Sequence, residues 1–459
     1  MENQGKLKKT MRPIDVWGLA LGAIIGWGCF VLPGNAFLPK AGPLGATVGL
    51  FLGAILILVI ALSYGYMIRR FPKSGGEYVY TKNMFGKGHA FIGGWSMLLV
   101  YWSLIPLNAT AIGLISKYLF PVLQFGELYE VAGWTVYTGE ILVALAFIVL
   151  MAFVNVRGIK NAAWMQTAIA LTLVGAIFLI AAMILVQGPE WSNLNFVEGS
   201  TRAIPWSGDW WVGVFAVVAM APWAYVGFDC IPQAAEECNF DHKRSLVIMI
   251  LAIFGAALCY IIVNAFTALV MPWEELLSQG ISWPTGYAVE HQIGMIGLII
   301  LGIAMFCAVI AGMNAFYIST SRLMYAMAQD GALPAVFSKV SVKYGTPRNA
   351  ILFVMVASLF APWLGREVLG WIVDMTSVGA SIVFLSTTLS ATKQARLENN
   401  KLQMFIGILG TIISIGFIAL LVIPGAPGFL ATPSWIALGV WTLIGVVFFL
   451  SIRKSYLGK

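Results

Sequence analysis

Apolar stretches long enough to cross about 30 Å of hydrocarbon recur twelve times in this chain, centred near residues 27, 56, 102, 148, 175, 222, 257, 305, 355, 379, 413 and 442. Hydrophobic residues make up 60% of the 459 and charged residues only 10%, whereas charged residues supply about a quarter of a soluble domain. With a mean hydropathy of +0.87, the chain is expected to be an all-α integral membrane protein of twelve transmembrane helices, with the lipid bilayer as its solvent.

The net charge of +7 raises the question of a nucleic-acid partner, and the placement of the basic residues answers it. Lys6, Lys8, Lys9 and Arg12 precede the first span, and Arg69, Arg70, Lys73, Lys82 and Lys87 occupy the loop after the second. Arg157, Lys160, Lys243, Arg244, Arg322, Lys339, Lys343, Arg348, Lys393, Arg396, Lys401, Arg453, Lys454 and Lys459 fall on the same side. Only Lys40, Lys117, Arg202 and Arg366 fall on the other, so 23 of the 27 basic residues share one face. That asymmetry predicts cytoplasmic termini in a multi-pass protein of the inner or plasma membrane. It makes the basic excess a topology signal, with no nucleic acid implied. The first apolar run is too long for a secretory signal peptide. Cys29, Cys230, Cys238, Cys259 and Cys307 are odd in number, lack metal spacing and read as buried free thiols.

Two spans are interrupted near their middles. Residues 22 to 30 read Gly-Ala-Ile-Ile-Gly-Trp-Gly-Cys-Phe, and residues 221 to 232 read Ala-Pro-Trp-Ala-Tyr-Val-Gly-Phe-Asp-Cys-Ile-Pro. Unwound backbone at membrane depth survives only where protein or a polar cavity satisfies it, so matching interruptions point to a secondary transporter's substrate site. Spans one and six also open alike, with Asp15 and Trp17 in one and Asp209, Trp210 and Trp211 in the other. The expected plan is an inverted repeat of five plus five spans with two more outside it. Its segments are a tail over 1–13, repeats over 14–187 and 208–392, two peripheral spans over 402–452 and a tail over 453–459.

At the first interruption, Ala23, Ile24, Gly26, Trp27, Gly28 and Cys29 are the candidate substrate-binding residues, where free N–H groups opening a half-helix suit a carboxylate. The competing reading is that these glycines only allow close helix packing. At the second, Trp223, Ala224, Tyr225, Gly227 and Phe228 are candidates: freed carbonyls suit an ammonium, and the aromatic rings could close over a ligand or face a cation. Asp229 and Asp374 are the acids inside apolar spans and the candidates for coupling or gating. Asp229 has an equally structural reading, as a holder of unwound N–H groups in span six. Ser319 and Thr320 offer hydroxyls to a sodium ion, although such side chains commonly bond their own helix. Thr376, Ser377 and Ser381 read as helix-interface residues.

His89, His242 and His291 are isolated, and HExxH, GxxxxGK and GxSxG are all missing. Without them a zinc protease, an ATP-driven motor and a hydrolase lose their support. The chain is expected not to be an enzyme and to need neither metal nor chemical cofactor. An intramembrane enzyme would have to draw on Asp229 and Asp374. A carrier of organic amines or polyamines is the runner-up to an amino acid carrier.

Four motifs in order resemble the amino acid-polyamine-organocation superfamily of permeases. They are the glycine-rich segment 22–30, Phe71-Pro72-Lys73-Ser74-Gly75-Gly76-Glu77-Tyr78, Tyr225-Val226-Gly227-Phe228-Asp229 with Glu236-Glu237, and the stretch from Arg322 to Gly331 followed by Gly345-Thr346-Pro347-Arg348-Asn349. The resemblance implies alternating access about a midplane site, with the substrate carboxylate on helix one and its amine on helices one and six. It implies an amino acid as substrate, by import or exchange, and the twelve-helix architecture above. The family often has a small Ser where Trp27 stands, which implies a smaller pocket suited to small or medium neutral side chains. Some proton-coupled relatives carry a Lys in helix five; Leu173 falls near that place here, and residues 161 to 187 contain no Lys. Exchange, Na+ or a different H+ carrier remain as the routes of coupling.

Overall fold

The computed structural model describes residues 7–131, 134–194, 204–281, 283–365 and 368–458. Lys6, Arg202, Arg366 and Lys459 of the charge pattern lie outside the described residues. The helices are α1 (Pro13–Ile25), α2 (Gly28–Leu32), α3 (Leu38–Ile68), α4 (Gly76–Phe85), α5 (Lys87–Leu119), α6 (Thr138–Arg157), α7 (Ile159–Gln187), α8 (Gly208–Val218), α9 (Ala221–Ala224), α10 (Cys230–Gln233), α11 (Ser245–Leu269), α12 (Trp273–Ser278), α13 (Pro284–Ile293), α14 (Met295–Gln329), α15 (Arg348–Ser358), α16 (Val368–Leu397), α17 (Lys401–Val422) and α18 (Thr432–Leu457).

Among the described residues nine helical segments are long and apolar enough to cross a membrane. The first, Pro13–Ile68, runs 56 residues and contains two of the expected centres, 27 and 56. Gly42 and Pro43 explain how: Gly42 takes φ +64 and turns the chain inside α3, so that one continuous assignment covers two directions. The centre at 355 falls on the shorter apolar stretch Arg348–Leu364. The centre at 222 falls on the fragments α8 to α10, where the interruption is severe enough to leave no long helix.

One element departs from an all-helical expectation. Glu127–Val131 and Trp134–Tyr137 pair as a small antiparallel hairpin between α5 and α6. Its Tyr, Val, Thr and Trp residues favour extended backbone, and a segment this short is invisible to an argument from span-length hydropathy.

The interrupted helices lie inside the bundle. Helix α1 packs against α7, α11 and α14, and α8 packs along α3. Gly49 meets Val217 and the Val214 carbonyl, and Gly53 meets Ala221, with no room for a Cβ at either. Small residues thus let backbones approach where lipid supplies no hydrophobic drive. At the periphery, α18 exposes Ile436, Val440, Leu443, Val447 and Leu450 on its outer face, as a bilayer-facing helix does. It is anchored by Trp441, whose ring stacks on Trp95 with centroids 4.8 Å apart.

Candidate functional site

The break in the first span is set by Gly26, which takes φ +44 and ψ −164 and ends α1. A Cβ there would meet only Ala23 O at 3.6 Å and Asn108 Oδ1 at 3.7 Å. Backbone conformation, not crowding, is what demands glycine at this position. The main chain resumes as α2, whose opening residues Gly28 and Cys29 present N–H groups that no earlier turn can accept. The carbonyls released at the end of α1 are held by a side chain: Tyr260 donates its hydroxyl to Ile24 O at 3.3 Å and Ile25 O at 3.4 Å. Trp283 Nε1 donates to Phe30 O at 2.8 Å on the far side of the break.

The sixth span unwinds into a run of tight turns. Trp223 N donates to Met220 O, Tyr225 N to Ala221 O and Cys230 N to Gly227 O. Asp229 Oδ1 accepts the Gly227 N–H at 2.7 Å, the structural duty considered for it. Gly227 takes φ +135, and a Cβ on it would stand 2.7 Å from both Ala23 Cβ and Ile24 N. The two breaks therefore touch backbone to backbone.

Beside that contact lies a gap lined by Ala23, Ile24, Ile25, Gly26, Trp27, Gly28, Trp223, Val226, Leu104, Asn108, Tyr260 and Phe316. Its volume is about 20 Å³, roughly one water molecule, because two indoles fill its middle. Trp27 and Trp223 meet edge to face with centroids 5.8 Å apart, and a Cβ on Gly28 would strike the Trp223 ring at 2.4 Å. Trp27 Nε1, Trp223 Nε1 and Asn108 Oδ1 are buried without a hydrogen-bond partner. Two donors and an acceptor thus surround a gap that no charged side chain lines.

Of the eleven residues expected to bind substrate, Ala23, Ile24, Gly26, Trp27, Gly28 and Trp223 line this gap and the others do not. Cys29 is buried behind it. Tyr225 donates its hydroxyl to Leu50 O at 2.8 Å, and Phe228 packs against Tyr64 and Phe384. Ala224 and Gly227 are buried beside it without lining it. Asp374 is remote from the gap: its Oδ2 accepts from Ser434 of α18 at 2.7 Å. Thr320 bonds its own helix through Phe316 O at 2.6 Å, while the buried Ser319 hydroxyl faces the Cys230 thiol. Thr376, Ser377 and Ser381 likewise bond carbonyls of α16. Leu173 is a buried apolar residue of α7. All five cysteines are free, and among the described residues no cluster has the makings of a metal site.

Sequence reasoning missed Ile25, Asn108, Leu104, Val226, Tyr260 and Phe316. Asn108 carried a signal, a lone amide two residues after Pro106 inside an apolar span. Tyr260 and Phe316 carried none, since an aromatic residue in an apolar helix reads as core.

The remaining motifs converge at one end of the bundle. Glu237 and Arg322 form a fully buried ion pair, Oε1 to Nε 2.7 Å, so Arg322 belongs to the helix interior and not to the cytoplasmic loops where the charge pattern counted it. Burial raises the Glu237 carboxyl above its ordinary value, and Arg322 opposes that rise. A Cβ on Gly75 would meet Ala326 at 2.4 Å, Lys82 pairs with Asp330 at 2.6 Å, and Thr10 and Met11 donate backbone N–H groups to Glu237 O.

Two interrupted helices meet around a small buried gap inside a bundle of bilayer-length helices, the arrangement that broken-helix carriers use. The sequence pattern described as amino acid permease matches residues 13–449, and the chain belongs to that family. The methylthioribose transporter of Bacillus subtilis (strain 168) is 28% identical over 98% of this chain and 95% of its own length. The branched-chain amino acid permease BcaP of the same organism is 26% identical over 82% and 79%. Human cationic amino acid transporter 4 is 27% identical over 83% of this chain and 60% of its own.

Proposed function

We propose that this permease carries small or medium neutral amino acids across the inner or plasma membrane by alternating access, with the substrate held between the breaks of spans one and six. The observation that carries the reading is the gap between Trp27 and Trp223, bounded by unwound backbone from both spans and lined by no charge. A zwitterion needs no ionised partner there: its carboxylate meets the N–H groups of Gly28 and Cys29, and its ammonium meets carbonyls of the span-six turns. The indoles must part to admit it, which makes them the lid and sets the side-chain size that fits.

The architecture that accompanies this reading has twelve crossings. Repeats over 14–187 and 208–392 are related by inversion, 402–452 stands outside them, and the tails 1–13 and 453–459 are cytoplasmic. The long first segment, the shorter stretch 348–364 and the fragmented sixth span support twelve crossings, and the one-sided distribution of basic residues supports the orientation. As a carrier it returns its ligand unchanged.

A second reading has its own support. The relative that aligns across 98% of this chain carries methylthioribose, and the unpartnered indole N–H groups and Asn108 Oδ1 suit hydroxyls as well as they suit an amino acid. The amine reading has less support, since one oxygen of Asp229 accepts the Gly227 N–H and one of Asp374 accepts from Ser434, and neither acid lines the gap.

The test is uptake into proteoliposomes of labelled alanine, leucine, arginine, putrescine and methylthioribose, with and without unlabelled compound inside. Preference for alanine or leucine is expected. Preference for arginine or putrescine overturns the substrate class, and preference for methylthioribose installs the second reading.

A further inference from the structure

Glu77 and Asp229 are both shut off from solvent, and among the described residues neither takes part in an ion pair. Glu77 stands in the first turn of α4, and the glycine before it packs on the helix that follows the span-six break. A Cβ on Gly76 would lie 3.1 Å from Pro232 Cβ and 3.2 Å from Gln233 Nε2. That amide donates to Glu77 Oε2 at 2.6 Å, while Asp229 Oδ1 is taken by the Gly227 N–H. Glu77 Oε1 and Asp229 Oδ2 are buried without a cationic partner, and the neighbouring donors are the phenol hydroxyls of Tyr64 and Tyr101.

The groups that face them carry no compensating charge. They are the hydroxyl of Tyr64 from α3, that of Tyr80 from α4, that of Tyr101 from α5 and the thiol of Cys230 from α10. The three hydroxyls are themselves buried, with Tyr64 turned toward Glu77 and Tyr101 toward Asp229. Arg322 of α14 is committed to Glu237 and to Ser321 Oγ at 2.8 Å. Burial, and after it the charge of Asp229, raises the Glu77 carboxyl well above the ordinary carboxylate range.

A buried carboxylate without a cation is costly, and two within electrostatic reach cannot both ionise cheaply. A proton on either one removes a charge and turns a carboxylate oxygen into a donor, with the neighbouring phenol and carboxylate oxygens as its acceptors. We propose that Glu77 and Asp229 form a proton-binding site that holds one proton in this closed arrangement. The site gives the proton up to water when the loop before α4 parts from α10. The O–H bond breaks, the proton passes to the entering water, and the carboxylate left behind becomes hydrated. This rests on the carrier reading above and supplies it with a coupling ion from a place other than helix five.

Infrared difference spectroscopy of the purified permease in lipid tests the site without any substrate. The C=O band of a protonated, buried carboxyl is expected to persist at neutral pH and to weaken in both Glu77→Gln and Asp229→Asn. No such band in the wild type, or a band untouched by both substitutions, overturns the proposal. In proteoliposomes holding a pH-sensitive dye, leucine is expected to acidify the lumen. With Glu77→Gln, leucine counterflow continues while acidification and the pH dependence of uptake disappear; undiminished acidification overturns the proposal. If Glu77→Gln does not fold, Glu77→Asp and the wild-type titration decide the matter. If leucine is no substrate, the carrier's specificity is refuted while the infrared result still judges the proton site.

Discussion

Gly227 rests against the backbone nitrogen of Ile24, so closely that a Cβ would stand 2.7 Å from it. At φ +135 the residue also adopts a conformation that side chains resist. Gly227→Ala is expected to lower stability by about 1–3 kcal/mol and to cut leucine uptake more than tenfold, because the two breaks must shift apart. Gly175→Ala, on α7 with nothing near its Cβ, is the control and should change neither. Thermal denaturation and initial uptake rates measure both, and an equally silent Gly227→Ala would show that the contact is not required.

Trp27 packs edge to face on Trp223 inside the gap. Replacing it by Ser removes one of the two indoles that fill the space, at a cost of about 3–5 kcal/mol for a large buried aromatic residue. Trp27→Ser is expected to shift preference from alanine toward phenylalanine and tryptophan. Competition by the aromatic amino acids against labelled leucine measures this, and an unchanged rank order would place the size filter elsewhere.

How much of this was legible beforehand varies by residue. Gly26, Gly28 and Gly227 could be found because broken helices in lipid leave a compositional mark, and so could Asp229, an acid where acids are costly. Asn108 was findable and passed over. Tyr260 and Phe316 were hidden, because an aromatic residue lining a gap and one packed in a core have the same spacing. Tyr225 and Phe228 sat in the right segment, but the turns that end it rotate them toward Leu50 and Phe384, and no periodicity governs a turn. The Glu237–Arg322 pair joins positions 85 residues apart, beyond any local pattern.

That pair makes its own prediction. Removing one partner strands a buried charge and costs about 3–5 kcal/mol, whereas replacing both by apolar residues of similar volume is often neutral. Arg322→Met and Glu237→Leu are each expected to lower the melting temperature clearly, and the double variant Arg322→Met with Glu237→Leu to recover most of the loss. A double-mutant cycle by thermal denaturation measures the coupling, and additive losses would mean that the pair does not act as a unit.

Outside the bundle, Glu398 accepts hydrogen bonds from Arg70 and, at 2.8 Å, from Tyr66, tying the end of α3 to the end of α16. Arg70 holds its carboxyl down to about 2 from an ordinary 4.5. A depressed value means that the bridge contributes fully above pH 4.5 and loses its contribution as pH falls toward 2. With about a third of the side chain exposed, the contribution is of order 1 kcal/mol or less. The stability gap between wild type and Glu398→Gln should therefore be constant from pH 7 to 5 and narrow below 4.5. A gap that closes between pH 7 and 5 would refute the assignment.

The two acids within the apolar spans should separate cleanly. An asparagine at 374 can still accept the Ser434 hydroxyl through its amide oxygen, so Asp374→Asn loses only a charge at the edge of α18 and is expected to retain most uptake. Asparagine at 229 can likewise still accept the Gly227 N–H, which keeps the break in shape and makes the charge the only thing removed. If Asp229 were purely a holder of that N–H, Asp229→Asn would transport almost normally. If its ionisation is part of the cycle, uptake falls by tenfold or more while the melting temperature hardly moves. The second outcome is expected, because Asp229 acts in the proton site with Glu77 while its bond to the Gly227 N–H survives the substitution. Uptake and melting curves for the two variants decide it, and a larger loss in Asp374→Asn would move the functional acid to α16.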